Sequence, residues 1–287
     1  NIEHPAVLEV FDEIERRGGK VTKVSVNEDG VVRPRDILEA ITENTVLVSV
    51  MYANNEIGTI QPVREIAKII KEYKLKNNLN KPYFHTDACQ AGLYLSLDTQ
   101  KLGVDLLTLD GIKIYGPRSS GLLFVKNGTE IKPIMFGGGQ EKGLRSGTEN
   151  LTSVLGLSQA IEIAEKMRES ESERLKNIRD YAIENILKTF PKATLNGSVE
   201  NRLPNNINIC FPNLDAEFAV ISLDVSGFAV SYSSSCRNLK EDSSSYVVEA
   251  LGKTNCSQSS LRITLGRESR KSDIDNFIVA LKKIVLS

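Results

Sequence analysis

The chain has 287 residues, 40% of them hydrophobic, with 36 basic and 37 acidic side chains and a formal net charge of -1. That length and apolar content suffice for one large domain or two ordinary ones around a real core. The balanced charge argues against nucleic acid and anionic membrane surfaces as partners.

No apolar segment approaches the roughly 18 residues of a membrane span, and the first residues lack the basic-then-apolar pattern of a signal peptide. A cytoplasmic location is the expectation. Cys89, Cys210, Cys236 and Cys256 lie far apart with no Cys-x-x-Cys pair, so neither a metal site nor a disulfide framework is expected. Each is then a buried small hydrophobe or a reactive thiol.

Along the chain, residues 6–17 carry a helical stripe (Val7, Leu8, Val10, Phe11, Ile14) stopped by Gly18-Gly19. Residues 21–26 alternate as a strand, and 34–41 form a short helix opened by proline. The β-branched run 45–51 reads as a strand buried on both faces of a parallel sheet. A helix follows from Gln61-Pro62 through Tyr73, then strands at 83–86, at 104–110 and at 121–125. This rhythm predicts an α/β fold with a mostly parallel central sheet and flanking helices. After the glycine-rich stretch 137–148 comes a long charged helix over about 152–187, with a break expected near Ser170. The remainder reads as a smaller α+β domain: strands at 206–210, 228–230 and 261–264, helices at 216–223, 244–251 and 271–285. The domains expected are 1–160 and 161–287.

Open sheets of this kind place ligands at the carboxyl ends of their strands. Three polar clusters fall there: Asn54-Asn55-Glu56, Asp87 to Gln90, and Lys113. Lys113 sits between Ile112 and Ile114, with Gly111 and Gly116 on either side. This setting is expected to desolvate it and make it a usable amine nucleophile.

Motifs along almost the whole chain carry a resemblance. They are His-Pro-Ala-Val-Leu at 4–8, Asn-Asn-Glu-Ile-Gly at 54–58, His-Thr-Asp-Ala-Cys-Gln at 85–90 and Lys-Ile-Tyr-Gly-Pro at 113–117. Gly-Gly-Gly-Gln-Glu with Arg-Ser-Gly-Thr at 137–148, Arg-Leu-Pro-Asn-Asn at 202–206 and Ser-Leu-Arg-Ile-Thr-Leu-Gly-Arg at 260–267 complete the set. In this order the pattern resembles the pyridoxal-phosphate-dependent cysteine desulfurases of the class V aminotransferase group.

The resemblance implies fold type I, with a large domain that binds pyridoxal 5'-phosphate, and conversion of L-cysteine to L-alanine. Lys113 resembles the lysine that holds the cofactor covalently and then shuttles the substrate proton. Asp87 resembles the carboxylate that pairs with the pyridinium nitrogen, and His4 the imidazole stacked on the ring. Asn55 and Gln90 resemble hydrogen-bond partners of its hydroxyl side. Arg262 resembles the bidentate grip on the substrate carboxylate, beside Asn55. Thr148 resembles the residue that reaches the cofactor phosphate of the neighbouring subunit in a homodimer. Cys236, on a serine-rich stretch beside Arg237, resembles the thiolate that takes the sulfur as a persulfide. That sulfur would go to an acceptor protein, an iron–sulfur scaffold or a tRNA-thiolation factor. Cys89, Cys210 and Cys256 read as structural.

Two departures from the pattern stand out. Asp110 and Ile112 replace the hydroxyl residue and histidine that many members direct at the phosphate, and an aspartate there is expected to repel a dianion unless turned away. The family's N-terminal region, with its phosphate-cradling turn, is also expected to be missing. A selenocysteine lyase, or a catalytically silent homologue acting as a binding partner, are the alternative readings.

Overall fold

The computed structural model describes residues 1–232 and 244–285. The first elements are α1 (Pro5–Arg16), α2 (Pro34–Ala40), β1 (Leu47–Ser49), α3 (Val63–Lys76), β2 (Tyr83–Asp87), α4 (Thr99–Leu102), β3 (Leu106–Asp110) and β4 (Gly121–Val125). They are followed by α5 (Leu151–Thr189), β5 (Thr194–Leu195), β6 (Asn206–Cys210), α6 (Ala216–Val225), α7 (Tyr246–Ala250), β7 (Ser260–Thr264) and α8 (Lys271–Val285).

The described chain forms two compact units. One holds residues 1–41, 53–62 and 169–287; the other holds 42–52 and 63–168. This differs from the expected division at residue 160. The reason is hydrogen bonding at long range. The 54–58 turn is tied to the C-terminal sheet by Asn206 Nδ2 and Asn208 Nδ2, each donating to Glu56 O at 3.1 Å, and by Arg202, which donates to Ile57 O at 2.8 Å. Gln61 in turn holds the 30–32 segment, donating to Gly30 O and accepting the Val32 N–H.

In the 42–168 unit the sheet order is β1-β2-β3-β4, with β1, β2 and β3 parallel and β4 antiparallel. The mostly parallel character matches the sequence expectation. α3 buries Val63, Ile66, Ala67 and Ile70, one stripe at helical spacing. Asp105, just before β3, accepts the Phe84 N–H at 3.0 Å and pairs with Lys74 and Lys126 at 3.6 and 3.3 Å. β1 is an edge strand and not the doubly buried one expected, since Val46 is 56% and Leu47 37% exposed.

In the other unit β5-β6-β7 form an antiparallel sheet. Ile207, Ile209, Leu261 and Ile263 are buried there, as are Leu223 of α6 and Phe277 of α8. Residues 21–26 form no strand, and 228–230 contribute only a bridge at the next residue, Ser231, to Arg262. α5 runs unbroken past Ser170. Cys210 and Cys256 are joined in a disulfide with Cα atoms 5.3 Å apart, against the expectation of none. The end of β6 and the 3₁₀ turn Thr254–Cys256 meet only in the folded chain, although 46 residues separate the two cysteines in sequence.

Candidate active site

β3 ends at Asp110, and the chain turns at once into a single 3₁₀ turn, Gly111–Ile114. Gly111 N–H donates to Ser120 O and Gly116 N–H donates to Gly111 O, both at 2.8 Å, closing a tight loop around Lys113. Only glycine fits at 111, because a Cβ there would lie 2.1 Å from Ser120 Oγ. The turn buries Ile114 and directs its other side chains outward, so Lys113 is exposed and Ile112 is 48% exposed. The expected desolvation of Lys113 is therefore corrected: a 3₁₀ turn cannot bury neighbouring side chains on one side together. Asp110 spends Oδ1 on the Ile112 N–H at 3.2 Å, as the cap of this turn. The residue that departs from the family pattern thus has a local structural task.

β2 delivers Asp87 at its carboxyl end, where Oδ1 accepts the Cys89 N–H at 2.9 Å. Burial first, then the charge of Asp87, push the Cys89 thiol far up, so it stays protonated beside this carboxylate. The Cys89 backbone thus orients Asp87, a role invisible without the turn geometry. The turn after Asp87 packs on the turn that holds Lys113. A Cβ on Gly92 would come within 2.7 Å of Ile114 Cγ2 and 2.8 Å of Leu109 Cδ1, both on side chains 1% exposed. Gly92→Val should therefore destabilise the chain by about 1–3 kcal/mol through overpacking. A thermal midpoint equal to the parent's would show that the two turns do not bear on each other.

Asp87, Gln90, Lys113 and Thr148 all belong to the 42–168 unit, Thr148 on an exposed part of the glycine-rich segment. His4, Asn55 and Arg262 belong to the other unit, where the Asn54–Glu56 turn gathers them. Asn54 Nδ2 donates to Ile2 O at 3.0 Å, which holds the strand of chain leading to His4. His4 is the N-cap of α1 and its Nδ1 accepts the Ala6 N–H at 3.2 Å. Arg262 donates to Asn55 O at 3.1 Å, and Ser245 Oγ donates to buried Glu56 Oε2 at 2.5 Å. Sequence reasoning placed Glu56 in a polar cluster without a role and passed over Arg202 and His85, although each stands inside a quoted motif. Cys236 and Arg237 lie outside the described residues.

In the unit that holds residues 53–62, Asn55 Oδ1 is buried without a hydrogen-bond partner among the described residues, an acceptor open to a hydroxyl donor. In the 42–168 unit the residues present fit a pyridine-type cofactor. The Asp87 carboxylate, oriented by Cys89, suits a ring N–H, and Lys113 presents a primary amine. Among the described residues no group of three or more metal-binding side chains occurs, and no helix is long and apolar enough to cross a membrane.

Comparison with known proteins places this arrangement. The chain is 40% identical over 287 residues to the cysteine desulfurase IscS of Clostridium botulinum, covering 99% of itself and 70% of that protein. It is 40% identical over 286 residues to the cysteine desulfurase IscS of Methanosarcina thermophila, 69% of whose length is covered. A NifS-like protein of known structure superposes with a TM-score of 0.89 at 31% identity, covering 99% of this chain and 73% of that one. The NifS-like protein of Rickettsia africae gives 0.85 at 30% identity, with 100% and 74% covered. The profile of the aminotransferase class-V family matches residues 1–277. On that match, and on relatives at this identity, the chain belongs to the aminotransferase class-V family.

Proposed function

We propose that the chain is a pyridoxal-phosphate-dependent cysteine desulfurase that converts L-cysteine to L-alanine. The observation that carries this reading is the packing of the Asp87–Gly92 turn on the Lys113 turn, in a chain 40% identical to proteins named for that activity. When bound, the cofactor supplies an electron sink for bonds broken at the amino acid. Asp87 would hold the ring nitrogen, Asn55 and Gln90 would serve its hydroxyl side, and His4 would lie against the ring. Arg262 takes the substrate carboxylate through a planar fork, which fixes its orientation. Lys113, free in water's reach, holds and returns the proton at the substrate carbon.

Cys236, as a thiolate, attacks the substrate sulfur. The S–S bond of a persulfide forms as the substrate's Cβ–S bond breaks, and the electron pair left on carbon is protonated to give L-alanine. The persulfide then passes to an acceptor protein, an iron–sulfur scaffold or a tRNA-thiolation factor, in the cytoplasm. The test is incubation of the purified chain with pyridoxal phosphate, L-cysteine and a thiol reductant. Alanine and sulfide should form in equal amounts, and Cys236→Ala should abolish both. Selenocysteine turned over in preference to cysteine would make it a selenocysteine lyase. Absence of any spectral change with the cofactor would make it a silent homologue.

A homodimer is part of this proposal. Ile134 and Phe136 are 91% and 84% exposed, and Leu151 and Leu155 69% and 70%, on both sides of the glycine-rich segment that ends at Thr148. Apolar surface of this kind is best covered by another chain, and the covering subunit would receive Thr148 at its phosphate. Sedimentation should find a dimer for the parent and a monomer for Phe136→Glu; equal behaviour of the two would remove this surface from the interface.

A further inference from the structure

Of the chain's two histidines, one stands in the parallel sheet. His85 is on β2, two residues before Asp87, so the two side chains share a face. Its backbone partner on β1 is Ser49, and Thr108 on β3 is the partner of Asp87. Both ring nitrogens are engaged. Nδ1 lies 2.8 Å from Ser49 Oγ, and Nε2 lies 2.8 Å from Thr108 Oγ1. Three side chains from three adjacent strands thus form one hydrogen-bonded row that ends directly across the ladder from Asp87.

The hydrogens in this row can be counted. A neutral imidazole has one N–H, and each hydroxyl has one hydrogen. Burial keeps the ring neutral by lowering its affinity for a second proton, with the charge of Asp87 acting against this. Two arrangements then remain. In one, Thr108 gives its hydrogen to Nε2 and turns only lone pairs to the rest of the face. In the other, Ser49 donates to Nδ1, Nε2–H donates to Thr108, and the Thr108 hydrogen is left for another acceptor. A carboxylate across the ladder repels the first and favours the second.

We propose that the Ser49–His85–Thr108 row positions Asp87, with His85 in the Nε2–H form turning the Thr108 hydroxyl hydrogen toward that carboxylate. The Thr108 hydroxyl dipole then faces the carboxylate from the paired position on β3, while the Cys89 N–H donates to Asp87 Oδ1 at 2.9 Å from its own turn. His85 is thus a positioning residue: it acts on the ring nitrogen's partner and touches neither cofactor nor substrate. Its benefit to cofactor binding rests on the reading of Asp87 given above; its effect on Asp87 does not.

The test uses the full chain with ¹⁵N-labelled histidine. With only two histidines present, His4→Gln leaves a single imidazole signal set to assign. At neutral pH the His85 ring should be neutral, with Nε2 protonated and Nδ1 bare. Asp87→Asn and Thr108→Val, both close in shape to the parent residues, should each bring in the Nδ1–H form. A ring protonated at Nδ1 in the parent, or ring signals unmoved in Asp87→Asn, would overturn the proposal. As a second reading, pyridoxal phosphate titrated by fluorescence should bind about tenfold more weakly to His85→Leu, the size of one lost hydrogen bond at a charged group. His85→Gln, which keeps a donor and an acceptor, should recover most of that loss. Equal affinity of parent and His85→Leu would refute the positioning role. If the parent itself takes up no pyridoxal phosphate, the cofactor reading of Asp87 fails, and the nitrogen signals alone still decide the row.

Discussion

Lys113→Ala should give a chain as stable as the parent and without measurable desulfurase turnover. The first half of that expectation comes from exposure. Lys113 projects from the 3₁₀ turn into solvent, whereas Ile114 beside it is 1% exposed and holds the turn in place. Surface substitutions away from packing or caps change stability by about 0.5 kcal/mol or less, which corresponds to about 2 °C in the thermal midpoint. The second half comes from chemistry. Proton transfer by one positioned side chain contributes about 10²- to 10⁴-fold, and Lys113 is also the primary amine to which the cofactor aldehyde would be joined. Lys113→Arg is the informative control, because it keeps the charge and removes the primary amine. Alanine formation at parent rate in either variant would remove Lys113 from the mechanism. A large fall in the thermal midpoint would instead show that its place is structural.

Arg202→Met should cost about 3 kcal/mol or more of unfolding free energy in urea, and substrate binding with it. Arg202 is 3% exposed, and its guanidinium is spent on backbone oxygens. Nε donates to Ser198 O at 2.8 Å, one terminal nitrogen donates to Ile57 O at 2.8 Å and to Asn206 Oδ1 at 3.3 Å, and the other donates to Asn196 O. Burial first, then the charge of Arg179, lower its hold on the proton, with Asp180 acting the other way. Removing the charge therefore relieves some cost, which works in methionine's favour. Against it stand three buried carbonyls left without their donor, each worth about 1 kcal/mol or more. The carbonyls win by number. Ile57 O is one of them, so the loss reaches the Asn54–Glu56 turn that carries Asn55 and receives Arg262. Weaker cysteine binding with normal stability would show that the arginine acts on the turn alone; a stability loss under 1 kcal/mol would show that water replaces it.

Where a segment's own pattern is strong, the sequence reading and the structure coincide. β4 and β6 alternate or run apolar over five residues each and begin and end where expected. α8 spans 271–285 as the apolar spacing of Ile274, Phe277, Ile278 and Leu281 requires. Misreadings cluster where a distant partner decides. A break was expected near Ser170, yet α5 continues, with Glu162–Lys166 and Glu165–Arg168 paired at helical spacing before that residue and Glu171–Arg174 after it. The alternation of 21–26 went unused because no strand among the described residues lies beside it. Of the candidate site, the residue types and their order were legible, since each motif is local. Exposure was not, because the burial of Lys113 depends on which side of a 3₁₀ turn faces the core.

The sequence by itself determined the alternating α/β plan and the family, and it named Asp87, Lys113 and Arg262 as the candidate acid, amine and arginine, because these are properties of short stretches and their order. Only the tertiary structure decided that the Cys89 N–H serves Asp87, that Ser49, His85 and Thr108 form one hydrogen-bonded row, and that Cys210 joins Cys256. It also decided that the 54–62 segment belongs with strands some 150 residues later. The physical reason is the same in each case: hydrogen bonds and disulfides form between groups brought within a few ångströms, and sheet register and long-range packing set that distance, not spacing along the chain.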